Sequence, residues 1–238
     1  MMEVTDSAPT TPAQPNYSVP WTLFDTWLGI GIMIVVLVGV AVAAFFIPPK
    51  LLTSGLALVL LEPIFIIPVV LILGWKHISW TYLGFKSFQW KSLAIGCGVL
   101  VIAYFIILIH NLILMAFNVQ TQGDTIAKLL DKLDSPTLFF LAAAVLAPLV
   151  EETFFRGFLF SGFRQSYGWV KAMLLSSAIF AIAHFELAAL IPTFILGCVL
   201  AYVFHRSNSV WPGMILHFLV NGFAIFWILV ATQFNLLN

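Results

Sequence analysis

Six apolar runs constrain this chain more than any other feature: 24–47, 53–75, 92–117, 137–164, 187–204 and 211–232. At ~1.5 Å of rise per residue, a helix of this length crosses or nearly crosses a hydrocarbon layer ~30 Å thick. A shorter run at 171–185 covers only about 22 Å on the same arithmetic. It is expected to be a short span that turns back at "HFELAALIP", with the turn buried in protein because lipid cannot satisfy bare backbone. The expected fold is an all-α, polytopic transmembrane bundle of about seven helices (seven to eight). Composition agrees, because 62% of the 238 residues are hydrophobic and 8% are charged. A soluble domain carries roughly a quarter charged residues and needs them to face water.

Residues 1–20 are polar, rich in Pro and Thr, and contain no Lys or Arg, which predicts a disordered tail rather than a signal peptide. The remainder reads as one membrane domain, with N-terminal helices and interfacial segments over 21–136 and the more polar helices over 137–238. Net charge is zero, so nothing calls for nucleic acid as a partner; the expected partner is the lipid bilayer. Cys97 and Cys198 both lie in apolar runs and are expected as lipid- or core-facing thiols.

Orientation follows from Lys and Arg in the short loops. With the N-terminus inside, cytoplasmic loops hold Lys76, Lys86, Lys91, Arg164, Lys171 and Arg206, against Lys50, Lys128 and Lys132 outside. The balance favours a cytoplasmic N-terminus. Residues 80–91 interleave aromatics with lysines, as suits an interfacial belt. Residues 124–134 place Ile126, Leu129, Leu130 and Leu133 on one stripe, which predicts a short amphipathic helix. It either lies in the membrane surface, where it can gate access, or docks on the bundle.

Ionisable groups inside spanning helices are costly and therefore functional candidates. Here they are Glu62, His110, Glu151, Glu152, Arg156, His184 and His217, with Asn111 and Asn221 as uncharged companions. In "PLVEETFFRG", Glu152 and Arg156 lie four apart and about 40° from each other around an α-helix, whereas Glu151 lies about 140° from Arg156. Glu152 is thus expected to pair with Arg156. Glu151 then has no charge partner in its own helix and is available to move a proton. Phe180 shares a helical face with His184, and His217 shares one with Asn221. Counted inward from Arg164 and Lys171, Glu151 and His184 reach a similar depth of about 20 Å.

Glu151, His184 and His217 on three helices admit two chemistries. Glu151 can activate a water against a peptide carbonyl while His217 and Asn221 stabilise the oxyanion. Alternatively, Glu151, His184 and His217 can hold Zn²⁺ with one position open for water. No HExxH and no G-x-S-x-G is present.

Three motifs, Glu151-Glu152-Thr-Phe-Phe-Arg156, Phe180-Ala-Ile-Ala-His184 and His217-Phe-Leu-Val-Asn221, stand in one order on separate apolar segments. In this the chain resembles the CAAX-protease and bacteriocin-processing (CPBP, or Abi) family of intramembrane proteases, over residues 137–230. The resemblance implies an endopeptidase acting on a membrane-associated or lipidated protein or peptide, prenylated in eukaryotic relatives. It implies that Glu151 and His184 activate water, that Arg156 supports Glu152, and that His217 and Asn221 serve the oxyanion. The family carries a metalloprotease label, with a metal-free, glutamate-activated water as the competing account. Two other classes compete: a non-catalytic adaptor or immunity protein on the same fold, and a proton-coupled transporter using Glu62, Glu151 and the histidines.

Overall fold

The computed structural model describes residues 18–48, 51 and 54–234. Positions 1–17 of the expected tail, and Lys50, lie outside the described residues. Among the described residues the chain forms eight helices and no strand. They are α1 (Leu23–Ala44), α2 (Gly55–Trp75), α3 (Trp90–Ala116), α4 (Gln122–Leu130), α5 (Pro136–Tyr167), α6 (Trp169–Ile182), α7 (Leu190–Ser207) and α8 (Trp211–Gln233). Six are long and apolar enough to cross a membrane, and α6 is the short one. The protein is an integral, multi-pass membrane protein.

Helix α5 runs through the middle of the bundle. Over half of its spanning window, 56%, is buried inside the protein, against 11% for α1 and for α3. The outer helices therefore turn most of their apolar surface to lipid. The α5 core face is aromatic: Phe154, Phe155, Phe158, Phe160 and Phe163 are all buried, packing against Trp21, Ile72, Leu73, Phe180 and Phe204 from neighbouring elements. Phenylalanines suit this position because they fill volume without a polar atom that would need a partner.

Helices α6 and α7 pack closely, and Gly197 is what permits it. A Cβ at Gly197 would come within 2.9 Å of the Ser177 Cβ. Cys97 and Cys198 are free thiols, the first exposed and the second half-buried.

The polar ends of the helices sort themselves by contact. Lys76 pairs with Asp25 at 2.7 Å, Ser209 Oγ donates to the Lys86 carbonyl, Arg164 donates to Asn208 Oδ1, and Gln165 Nε2 donates to the Trp21 carbonyl. The start of α1 and the α2–α3, α5–α6 and α7–α8 connections thus share one end of the bundle.

Helix α4 starts at a capping box between Thr121 and Asp124 and ends at Leu130, so Leu133 lies beyond it. Its apolar stripe is docked on the bundle: Ile126, Leu129 and Leu130, with Leu133, pack around Phe139, Ile225 and Ile228 of α5 and α8.

Candidate active site

The polar residues of α5 lie where the helix departs from α geometry. Leu141–Leu146 and Glu152–Phe160 are wound as π turns, separated by an α segment, Ala147–Glu151. Pro148 explains part of this, since it offers no N–H and its ring crowds the carbonyl four residues earlier. Side chains take up displaced carbonyls: Thr153 Oγ1 donates to Leu149 O at 2.6 Å, and Ser161 Oγ donates to Arg156 O at 3.2 Å.

The π winding changes the directions of the two glutamates. An i→i+5 turn holds more residues, so neighbours are separated by less than the ~100° of an α-helix. Glu151 and Glu152 accordingly reach opposite sides of one imidazole. His217 Nδ1 lies 3.1 Å from Glu152 Oε1, and His217 Nε2 lies 3.7 Å from Glu151 Oε2.

Glu152 and Arg156 form the ion pair that their spacing predicted, at 2.7 Å, with both side chains excluded from solvent. Isolated charges could not persist there, and the pair is held by further groups. Arg156 Nη2 donates to the Gly197 carbonyl at 3.3 Å, and its guanidinium lies 4.3 Å from the centre of the Phe180 ring. Glu152 Oε1 also accepts from His217, which fixes the hydrogen of that ring on Nδ1. Gly213 at the start of α8 allows this approach, because a Cβ there would stand 2.7 Å from Glu152 Oε2.

Phe180 joins the parts. Its ring makes edge contacts with His184 at 4.8 Å and His217 at 5.8 Å between centroids, besides its contact with Arg156. One correction concerns His184, expected on the helix beside Phe180. Helix α6 ends at Ile182 and His184 lies in the turn that follows. Its Nδ1 contacts the Phe180 carbonyl at 2.8 Å, a group that the helix end would otherwise leave unpaired. A carbonyl only accepts, so Nδ1 donates, and in the neutral ring Nε2 keeps its lone pair. Asn221 Nδ2 donates to Ala143 O at 2.8 Å, tying α8 to the first π stretch of α5. An amide carries two hydrogens, so this bond leaves one for another acceptor.

Glu151, His184, His217 and Asn221 all line one cavity of about 540 Å³. Glu62 of α2 and Asn111 of α3 line it too, as does Ile126 of α4. His110 is not in the lining; its Nδ1 contacts Asn111 Oδ1 at 3.3 Å. Sequence reasoning found the charged and histidine positions but missed Gly197, Gly213 and the Ala143 carbonyl. A glycine in an apolar run gives no sign of which helix it faces. Among the described residues no three His, Cys, Asp or Glu side chains are arranged to hold a metal ion.

Comparison with known proteins follows the same segment. Residues 133–223 match the family model "Type II CAAX prenyl endopeptidase Rce1-like". The fold is that of a multi-pass membrane protein, and residues 133–223, less than half of the chain, are similar to this family of endopeptidases. The chain is 25% identical over 109 residues to "Putative membrane peptidase YdiL" of Bacillus subtilis, covering 46% of this chain and 45% of that one. It is 30% identical over 150 residues to the UPF0177 protein YaiF of Lactococcus lactis, covering 57% and 64% respectively. A 24.3 kDa protein of Escherichia coli is 34% identical over 85 residues, 34% of this chain and 39% of that one. The chain thus spans less than two thirds of the length of each of these relatives. No solved structure matches it.

Because Arg156 and Glu152 are buried against each other, removing one strands the other. Arg156→Ala and Glu152→Gln are each expected to cost about 3–5 kcal/mol, seen as a lowered thermal midpoint in detergent. Gly213→Ala is expected to shift Glu152 and lower the midpoint by less. Midpoints unchanged in all three variants would contradict this assignment.

Proposed function

We propose that the chain is an intramembrane endopeptidase that hydrolyses a peptide bond in a membrane-associated or lipidated protein or peptide. The observation that carries this is His217 lodged between two glutamates of different environment. Glu152 is fully buried and committed to Arg156, while Glu151 faces a cavity. One carboxylate holds the histidine, and the other remains available.

The contact between His217 Nε2 and Glu151 Oε2, at 3.7 Å, is too long for a direct hydrogen bond and suits a shared water. With the Nδ1 hydrogen on Glu152, a neutral His217 presents a lone pair to a carboxylate that also offers only lone pairs. A water in the cavity supplies the hydrogen that both lack. In the proposed step Glu151 takes one proton from that water, and the other hydrogen stays on the oxygen, shared between the lone pairs of His217 Nε2 and His184 Nε2. The water oxygen attacks the peptide carbonyl. The oxyanion accepts from the second amide hydrogen of Asn221, while His217, with its hydrogen on Nδ1, serves as an acceptor for the water rather than as an oxyanion donor. Glu151 then returns its proton to the departing amine, so the net change is addition of one water across the bond.

The adaptor reading keeps the fold without turnover. The transporter reading is weaker, because His110, one of its expected relay groups, stands outside the cavity lining. We also assign the bundle end that holds Lys76, Lys86, Arg164 and Arg206 to the cytoplasm, together with the N-terminus.

Purified protein in detergent or vesicles, given a membrane-anchored or prenylated test peptide, is expected to yield two products by mass spectrometry. Glu151→Gln should lower kcat by about 10²–10⁴ with an unchanged thermal midpoint, and Asn221→Ala by about 10²–10³. Undiminished cleavage by Glu151→Gln would end the mechanism. A chelator titration with metal analysis is expected to leave activity intact; loss of activity together with loss of bound zinc would replace this account with the metal-assisted one. For orientation, single cysteines placed at Lys86 and Lys128 in a background without Cys97 and Cys198 should label from the cytoplasmic and outer sides respectively. The reverse pattern would invert the assignment.

A further inference from the structure

The cavity has a charge pattern that the hydrolytic step does not use. Its lining includes two carboxylates, Glu62 and Glu151, and no Lys or Arg. The cation nearest in sequence to this site, Arg156, is spent on Glu152. Glu62 comes from the tight turn Glu62–Ile66 in the middle of α2, which packs against the Ala147–Glu151 segment of α5. Among the described residues no hydrogen bond or ion pair holds Glu62.

A carboxylate in a spanning helix without a partner is costly unless something arrives to pair with it. Low-dielectric walls bearing one sign of charge also concentrate counter-ions within a cleft. The rest of the wall suits a long cationic side chain. Leu100, Ile107 and Leu196 offer apolar surface for a methylene stem, and Tyr104, Phe223 and Trp227 offer ring faces for the charged head.

We infer that Glu62 is a specificity residue, the acceptor for a Lys or Arg side chain lying near the scissile bond of the peptide. This rests on the peptidase reading, which supplies the bond, while the recognition itself requires only that the peptide enter the cavity. Glu151 is less suited to the task because it already faces His217. Glu62 takes the cation and leaves Glu151 to the water.

The test uses the full chain in vesicles and a membrane-anchored peptide that it cleaves. Lys is scanned through the four positions on each side of the bond, against norleucine at the same position. One or two positions are expected to favour Lys in kcat/KM by about ten- to a hundredfold, the range of a hydrogen bond to a charged group. Glu62→Gln should bring that ratio to about one, and Glu62→Lys should reverse it in favour of a Glu-bearing peptide. A flat Lys scan with wild-type protein overturns the inference, even if both variants fail to fold. So does a Lys preference that persists in Glu62→Gln. Binding of the same labelled peptides to Glu151→Gln protein, read by fluorescence anisotropy, separates the two readings. Lys-selective binding without cleavage by any form supports the cation site and contradicts the hydrolase; cleavage without Lys selectivity does the reverse.

Discussion

The site depends on one buried carboxylate. Glu152 is sealed from solvent and holds Arg156 through one helical turn and His217 across to α8. Removing a charge pair from water costs several kcal/mol per ion unless every remaining lone pair and hydrogen finds a partner nearby. The surroundings meet part of that cost, with the Gly197 carbonyl and the Phe180 face against Arg156 and His217 on Glu152 Oε1, while Glu152 Oε2 has no hydrogen-bond partner among the described residues. Two glycines, Gly197 and Gly213, allow α7 to pack against α6 and α8 to approach α5 closely enough for these contacts. Packing and electrostatics are here the same requirement.

From that anchor the remaining geometry follows. His217 is oriented by Glu152, so its other nitrogen must face Glu151. Phe180 then sets His184 at the edge of the same space, and Asn221 pins α8 to the π-wound part of α5. Widened turns recur at functional sites in helices because they redirect side chains without breaking the helix. In α5 two adjacent glutamates, at the junction of an α and a π segment, both face one imidazole.

Sequence and structure agree where the physics is local. The spans are legible because lipid demands long apolar runs, and the Glu152–Arg156 pair is legible because residues four apart share a helical face. What was not legible arises between elements. The bond from His217 to Glu152 joins residues 65 positions apart and depends on a glycine at the contact. The end of α6 at Ile182, which puts His184 on a turn, depends on how the chain must cross to α7. Glu62 was visible as an anomaly in the second span, yet only the packing of α2 against α5 puts it in the cavity with Glu151.

The central claim is that a water activated at Glu151 attacks the peptide carbonyl directly. Cleavage in heavy-oxygen water, followed by mass spectrometry of both products, tests this without any substitution. The account predicts one solvent oxygen in the new carboxyl group after a single turnover, with no covalent peptide–protein species at any time. A covalent intermediate trapped on the chain, or a product carboxyl without solvent oxygen, would contradict it.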